Sequence, residues 1–180
     1  QLDHFVATRD RVASGAAGRL TATTIKFFAD GVIASGTGAL LQAYYVAPPT
    51  MRHALEEATR PVIVSHSAAA ALCGHPRNVP DDVLAAIGAQ NGVVMVAFVP
   101  SFLTEARRAW VANGEVGEPP PVGVAEVADH IEHIRDVAGV HVVGLGGDYD
   151  GTDAMPEGLE VVSGYPVLFN ELARRGWTDD

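Results

Sequence analysis

Two features of the sequence predict an α/β fold built on a parallel sheet. Apolar, β-branched runs alternate with segments of helical spacing through the second part of the chain, a pattern that calls for parallel strands joined by right-handed crossovers. Two of those runs also stop abruptly on residues that bind metals or move protons: PVIVSH ends on His66, and VVGLGGDYD on Asp148 and Asp150. Buried strands that deliver such side chains at their C-terminal ends are how (β/α)8 barrels build their sites. Four strands are expected, or five if one ambiguous segment is counted, well short of eight. The expected fold is therefore an incomplete (β/α)8 TIM barrel of the metal-dependent hydrolase type, roughly half a barrel.

The elements follow in order. Residues 2–14 have helical spacing (Leu2, Phe5, Val6, Val12), which Gly15 and Gly18 break. Residues 23–30, TTIKFFAD, read as a strand, and a glycine-rich stretch follows at 31–38. ALLQAYYV at 39–46 fits a short strand or one helical turn equally well. Pro48, Pro49 and Thr50 open a helix to about Ala58. Next come a strand at 62–64 and a short helix at 68–72. At 78–82, NVPDD begins a helix running to about Ala89, with proline near the first turn and two acids facing the positive helix end. Asn91-Gly92 stops it. A strand at 93–99, a helix at about 102–112 and a proline-rich loop at 114–121 come next. Residues 124–137 form a strongly periodic helix with Val127, Ile131 and Ile134 on one face, followed by a strand at 140–145 and a helix at 165–174.

Composition narrows the function. The chain has 180 residues, enough to bury a sizeable core, and length alone suggests one domain. It is 48% apolar and 19% charged, as globular chains are. A net charge of −10 with only 12 scattered basic residues argues against a nucleic-acid surface. Cys73 is the single cysteine, so no intrachain disulfide demands an oxidising compartment. No apolar run is long enough to span a membrane, and the N-terminus lacks the pattern of a signal peptide. A cytoplasmic location is the expectation. No nucleophile elbow and no phosphate-binding glycine fingerprint occurs, which disfavours serine hydrolases and nucleotide enzymes.

Six ordered stretches carry a resemblance: VAPPTMRHALE, PVIVSHSAAAALCGHPRNVPDDVL, GVVMVAFVPSFL, VADHIEHIRDVAGV, VGLGGDYDG and PEGLEVVSGYPVLFNELARRGWT. Over residues 46–180 the chain resembles the C-terminal part of the membrane (renal) dipeptidase family, zinc peptidases on a (β/α)8 barrel. The resemblance implies that His66 is a metal-site histidine, that Arg77 holds the substrate carboxylate, and that Asp148 positions and protonates reacting groups. The family's N-terminal His-x-Asp strand and its bridging glutamate have no counterpart here, and Tyr45 stands where the family places another metal-binding histidine. Residues 1–45 are similar instead to another amidohydrolase branch through the pattern I-K-x-F-A-D-G. That similarity makes Lys26 a candidate metal ligand, carbamylated to bridge two ions. The expected organisation is one partial barrel domain over residues 1–180, with a splice point near 45/46.

Each candidate has a plainer competing reading. A strand end gives His66 a fixed direction, and neutral imidazole is a good Zn2+ ligand, though single strand-end histidines are often structural. Asp148 and Asp150 share a face if the strand continues and diverge if the chain turns at Asp148; Asp150-Gly151 is also a common turn pair. Arg77 can clamp a carboxylate through two parallel hydrogen bonds or sit as a surface arginine. Lys26 can be a ligand or a snorkelling strand-edge lysine. His130 and His133 are expected on a solvated outer helix face, His53 and His75 on the surface, and Cys73 as a buried thiol.

The function expected is a zinc-dependent hydrolase that cleaves dipeptides with a metal-activated water, using one or two Zn2+ ions and forming a homo-oligomer. The alternatives are a deacylase acting on non-peptide amides through Lys26, His66 and Asp148, and an inactive half-barrel that self-associates.

Overall fold

A computed structural model describes residues 52, 55, 56, 58 and 60–178. The chain divides into two units, Gln1–Gln42 and Ala43–Asp180, and every described residue belongs to the second. The expected elements at 2–14, 23–30 and 39–46 lie outside the described residues, as do Lys26, Tyr45 and His53.

The second unit runs β1 (Ile63–Ser67), α1 (Asp81–Ala89), β2 (Val93–Ala97), α2 (Pro100–Leu103), α3 (Glu105–Ala112), α4 (Val124–Ala138), β3 (Val143–Gly147) and α5 (Tyr165–Arg174). The three strands are parallel in the order β1-β2-β3. Among the described residues no helix is long and apolar enough to cross a membrane.

The sheet has two unlike faces. Val94 and Val96 of β2 are fully buried, and they pack with Val83, Leu84 and Ile87 of α1 and with Val127, Ile131 and Ile134 of α4 in one core. Ile63 is paired with Val93 one step out of that phase and is 66% exposed. Helices therefore cover one face of the strands, as in the outer layer of a barrel. Each fully buried Ile or Leu in that layer contributes about 1.5–3 kcal/mol.

Local chemistry sets the helix ends. Pro80, at φ −67, is the N-cap of α1, and Asp81 and Asp82 occupy its first turn. Asn91, at φ 54, then turns the chain, and Gly92 N donates to Ile87 O at 2.9 Å. A side chain at Gly92 would start 2.7 Å from the Ile87 side chain, so this close approach requires glycine. At the start of α4, Gly123 N donates to Glu126 Oε2 at 2.8 Å, which is the glutamate half of a capping box; glycine has no side chain to make the other half. The helix ends at Gly139, whose φ is 97.

Several local expectations need correction. The predicted helix at 68–72 is a run of turns, closed by a bridge between Ala69 and Val79. The predicted helix at 102–112 is two helices, because Thr104 is extended (φ −136, ψ 142) and its Oγ1 accepts from Arg107 N. The first described strand extends through Ser67 rather than stopping at Val64, so His66 lies inside β1. The third starts at Val143, after a 3-10 turn at Val140–Val142.

Helices α4 and α5 are joined by Arg175. Its guanidinium donates to Asp129 at 2.6 Å, Glu132 at 2.8 Å, Glu171 at 2.7 Å and the Ala125 carbonyl at 3.1 Å. The Arg175 side chain is only 16% exposed, while Asp129 is 54% exposed.

Candidate active site

Parallel strands bring their C-terminal ends to one end of the sheet, and β1 and β3 carry His66 and Asp148 there. Strict alternation from Val64 would turn His66 toward the helices. A bulge prevents this: the register with β2 slips between Val64 and Ser67, so that Ser67 rather than His66 stands level with Val96. Ser67 is accordingly buried on the helix side, and the His66 ring meets the Ser65 hydroxyl through Nδ1. Bulges re-aim single side chains in this way, often beside active sites.

A second slip occurs in β3, between the pairs Val96–Leu145 and Ala97–Gly147. There Gly146 lies against the Ser65 carbonyl so closely that a Cβ would collide with it. The contact sets Ser65-His66 next to Gly146-Gly147, and Asp148 follows directly. Asp148 has φ 66, a left-handed backbone in which Asp is among the few tolerated non-glycine residues. Gly151 N donates to Asp148 O at 3.0 Å, closing a turn. The Asp148 carboxylate folds over Gly151, where a Cβ would sit 2.6 Å from the carboxyl carbon. The chain thus turns at Asp148, and Asp150 is exposed beyond it. Tyr149 anchors the turn: its ring packs edge-on to Phe98 at 6.0 Å, and its hydroxyl donates to Val161 O at 3.3 Å.

The loop between β1 and α1 carries Arg77. Its ends are pinned by Val79 N donating to Ala68 O at 2.8 Å and Ala70 N donating to Val79 O at 2.9 Å. Ser67 Oγ donates to the Arg77 carbonyl at 2.6 Å, tying the arginine to the residue after His66. Asn78 is fully buried, and its Nδ2 donates to the carbonyls of Cys73 (2.8 Å) and Phe102 (2.7 Å). The Arg77 guanidinium lies 5.3 Å from the Phe102 ring centroid. Among the described residues no carboxylate pairs with it. Cys73 is buried as expected, and burial pushes its thiol pKa up.

His75 is not the surface residue the sequence suggested. It is half-buried, and its ring stacks on Phe102 at 4.2 Å. Burial, reinforced by the neighbouring cations Arg77 and Arg108, lowers its pKa to about 4, so it is neutral near pH 7.

His130 is the larger correction. It is 1% exposed rather than on a solvated helix face. Its Nδ1 accepts from Ala69 N at 3.0 Å and its Nε2 donates to Leu103 O at 2.9 Å. One neutral tautomer satisfies both bonds, and burial lowers its pKa. His130 therefore fastens the chain three residues after His66 to the end of α2. Its helical phase, one residue from Ile131, hinted at burial; nothing local could reveal partners so distant in sequence. His133 is more open, at 23%, and meets Asp81 at 2.8 Å.

As a metal donor, His66 has one nitrogen engaged: Ser65 Oγ and His66 Nδ1 share a hydrogen bond at 2.7 Å. With Nδ1–H donating, the Nε2 lone pair is free, as a ligating histidine requires. Among the described residues, however, no three His, Cys, Asp or Glu side chains converge to hold a metal ion. These residues therefore do not by themselves fit a complete zinc site, which takes at least three protein ligands. Lys26 lies outside the described residues.

Comparison with known proteins gives the same outline. A family model for membrane dipeptidase, peptidase family M19, matches residues 37–180. A metallo peptidase from Rhodobacter sphaeroides, solved with a phosphinate mimic of the dipeptide L-Ala-D-Ala, is 29% identical with a TM-score of 0.61; the match covers 72% of this chain and 34% of that one. The dipeptidase AC, a metallo peptidase of family M19, is also 29% identical at a TM-score of 0.61, over 72% of this chain and 35% of its own. The probable dipeptidase PvdM from Pseudomonas aeruginosa shares the fold, with a TM-score of 0.61 at 21% identity, over 72% of this chain and 43% of that one. The chain thus spans about a third of the length of the first two. The described sheet is part of a TIM-barrel-type fold of the metal-dependent hydrolase kind.

Proposed function

This chain belongs to the membrane dipeptidase family, and from that premise we propose that it carries the substrate-binding and proton-handling side of a zinc-dependent dipeptide hydrolase. The observation that carries the reading is Arg77, whose guanidinium lies over Phe102 with no carboxylate partner among the described residues, and whose carbonyl is tied by Ser67 to the strand that bears His66.

In this reading Arg77 grips the C-terminal carboxylate of a dipeptide through two parallel hydrogen bonds, which fixes the scissile amide relative to the strand ends. Asp148, held at a turn that Gly151 leaves room for, takes the proton from the attacking water and returns it to the leaving amine. His66 presents its free Nε2, with Ser65 orienting the ring through Nδ1. Zinc, when bound, supplies a more acidic water and a polarised carbonyl. The described residues do not complete its site. His66 is the donor proposed among them, and Lys26 is proposed as a further ligand.

Elemental analysis of protein purified without added zinc, together with dipeptide hydrolysis and native mass, tests the reading. One or two zinc ions per chain with dipeptide turnover supports it. Zinc-bearing protein active only on N-acyl or cyclic amides would favour a deacylase instead. Zinc-free, inert protein that associates with itself would overturn both in favour of a half-barrel that does no chemistry.

A further inference from the structure

We propose that His75 and Phe102 are positioning residues for Arg77: together they hold its guanidinium over an aromatic face, where no carboxylate among the described residues pairs with it, so that the carboxylate of a ligand is the anion it meets. The proposal deepens the carboxylate-anchor reading of Arg77 and rests on it.

Three groups of contacts support it. The first is geometric. The His75 ring stacks on Phe102 with centroids 4.2 Å apart and planes 30° apart, and the Arg77 guanidinium lies 5.3 Å from the same Phe102 centroid. One phenyl ring, 6% exposed and fixed in the core, thus serves as the platform for both. An arginine side chain has much rotamer freedom to lose, and a platform removes part of it before a ligand arrives.

The second is the backbone. Arg77 N donates to His75 Nδ1 at 3.2 Å, and Asn78 N donates to His75 O at 2.9 Å. His75 therefore accepts from both residues that follow Pro76, through ring and carbonyl. This requires Nδ1 to be unprotonated, the state that burial beside two cations enforces near pH 7. A charged imidazole here would lose the acceptor and place a competing cation beside the ligand.

The third is charge. Arg108 is the other cation near His75, and it is neutralised by Glu105, whose Oε2 accepts from Arg108 Nε at 2.7 Å while Oε1 accepts from Gly74 N. Glu105 thereby fastens the loop and leaves Arg77 as the cation of the cluster with no anion among the described residues. A cation already paired with a carboxylate has its donors engaged; one held against an aromatic ring keeps them for an incoming anion.

The test reads Arg77 directly. Its side-chain 15Nε–1H signal, assigned by its loss in Arg77→Lys, is followed by NMR relaxation in the native chain and in His75→Ala, Phe102→Leu and Phe102→Tyr, with thermal unfolding as the check on folding. The expected result is an ordered Arg77 side chain in the native protein and in Phe102→Tyr, loosened in His75→Ala and Phe102→Leu. Affinity for Ala-Ala should then fall about two- to fivefold in the two loosened variants, the range expected for a lost cation–π contact. An Arg77 side chain that is mobile in the native protein, or equally ordered in every variant, overturns the proposal. If Phe102→Leu fails to fold, His75→Ala and Phe102→Tyr decide. Equal binding of Ala-Ala and its C-terminal amide overturns the anchor reading of Arg77 instead, and the relaxation data still show separately whether the platform holds the side chain.

Discussion

Replacing His130 with alanine should be among the most damaging single changes to the described unit, although the residue lies on a helix and touches no proposed substrate group. Its ring satisfies two buried backbone groups, Ala69 N and Leu103 O. Each buried group left without a partner costs about 1–3 kcal/mol, so the pair alone amounts to about 2–6 kcal/mol before any cavity is counted. Against a total stability of about 5–15 kcal/mol for a typical domain, that is a large share. The assay is urea unfolding followed by far-UV circular dichroism, with His133→Ala as the control. His133 is three residues along the same helix, and its bond to Asp81 is partly exposed, so the control should lose no more than about 1 kcal/mol. Losses for the two variants that agree within about 0.5 kcal/mol would refute the buried-clamp reasoning. The same residue predicts a pH effect. His130 and His75 both have folded pKa values below the ordinary 6.5, His75 at about 4. Their contribution is fully present above pH 6.5 and is lost as pH falls toward the folded values, because the unfolded chain takes up protons first. Stability should fall as the pH drops below 6.5, for His75 down to about pH 4. His75→Ala should flatten that slope; an unchanged slope would contradict the assignment.

Other outcomes follow from single contacts. Asp148→Gly relieves a left-handed non-glycine residue and should raise stability by up to about 1 kcal/mol, while abolishing dipeptide hydrolysis; melting curves and turnover together check this. Gly146→Ala places a methyl against the Ser65 carbonyl and 3.2 Å from Met95, and it should cost about 1–3 kcal/mol in chemical unfolding. Arg175→Ala leaves Glu171, Asp129 and Glu132 without their shared cation. It should lower the melting temperature, with Arg175→Lys recovering only part of the loss.

The elements most legible in the sequence were those whose pattern is local. The helix at 165–174 appears with the same ends as α5, and the periodic segment from Val124 forms α4 with Val127, Ile131 and Ile134 buried as their spacing implied. The β-branched runs among the described residues are parallel strands. Errors cluster where a local signal met a distant partner. Thr104 looked like helix interior, yet its hydroxyl caps α3. Alanines 68–71 have high helix propensity, but the bridge from Ala69 to Val79 holds that stretch as turns.

The sequence by itself determined the α/β layering and the position of the chemistry-bearing residues at strand ends, because hydrophobic periodicity is a property of neighbours along the chain. The tertiary structure alone decided where those residues point and what holds them. The bulge that sets Ser67 rather than His66 level with Val96 arises from pairing with β2, 30 residues away by register of Ile63 with Val93. The burial of His130 depends on Ala69 and Leu103, 61 and 27 residues distant. The platform under Arg77 comes from Phe102. A polar side chain reads as surface until a partner satisfies its hydrogen bonds, and such partners exist only once the chain has folded.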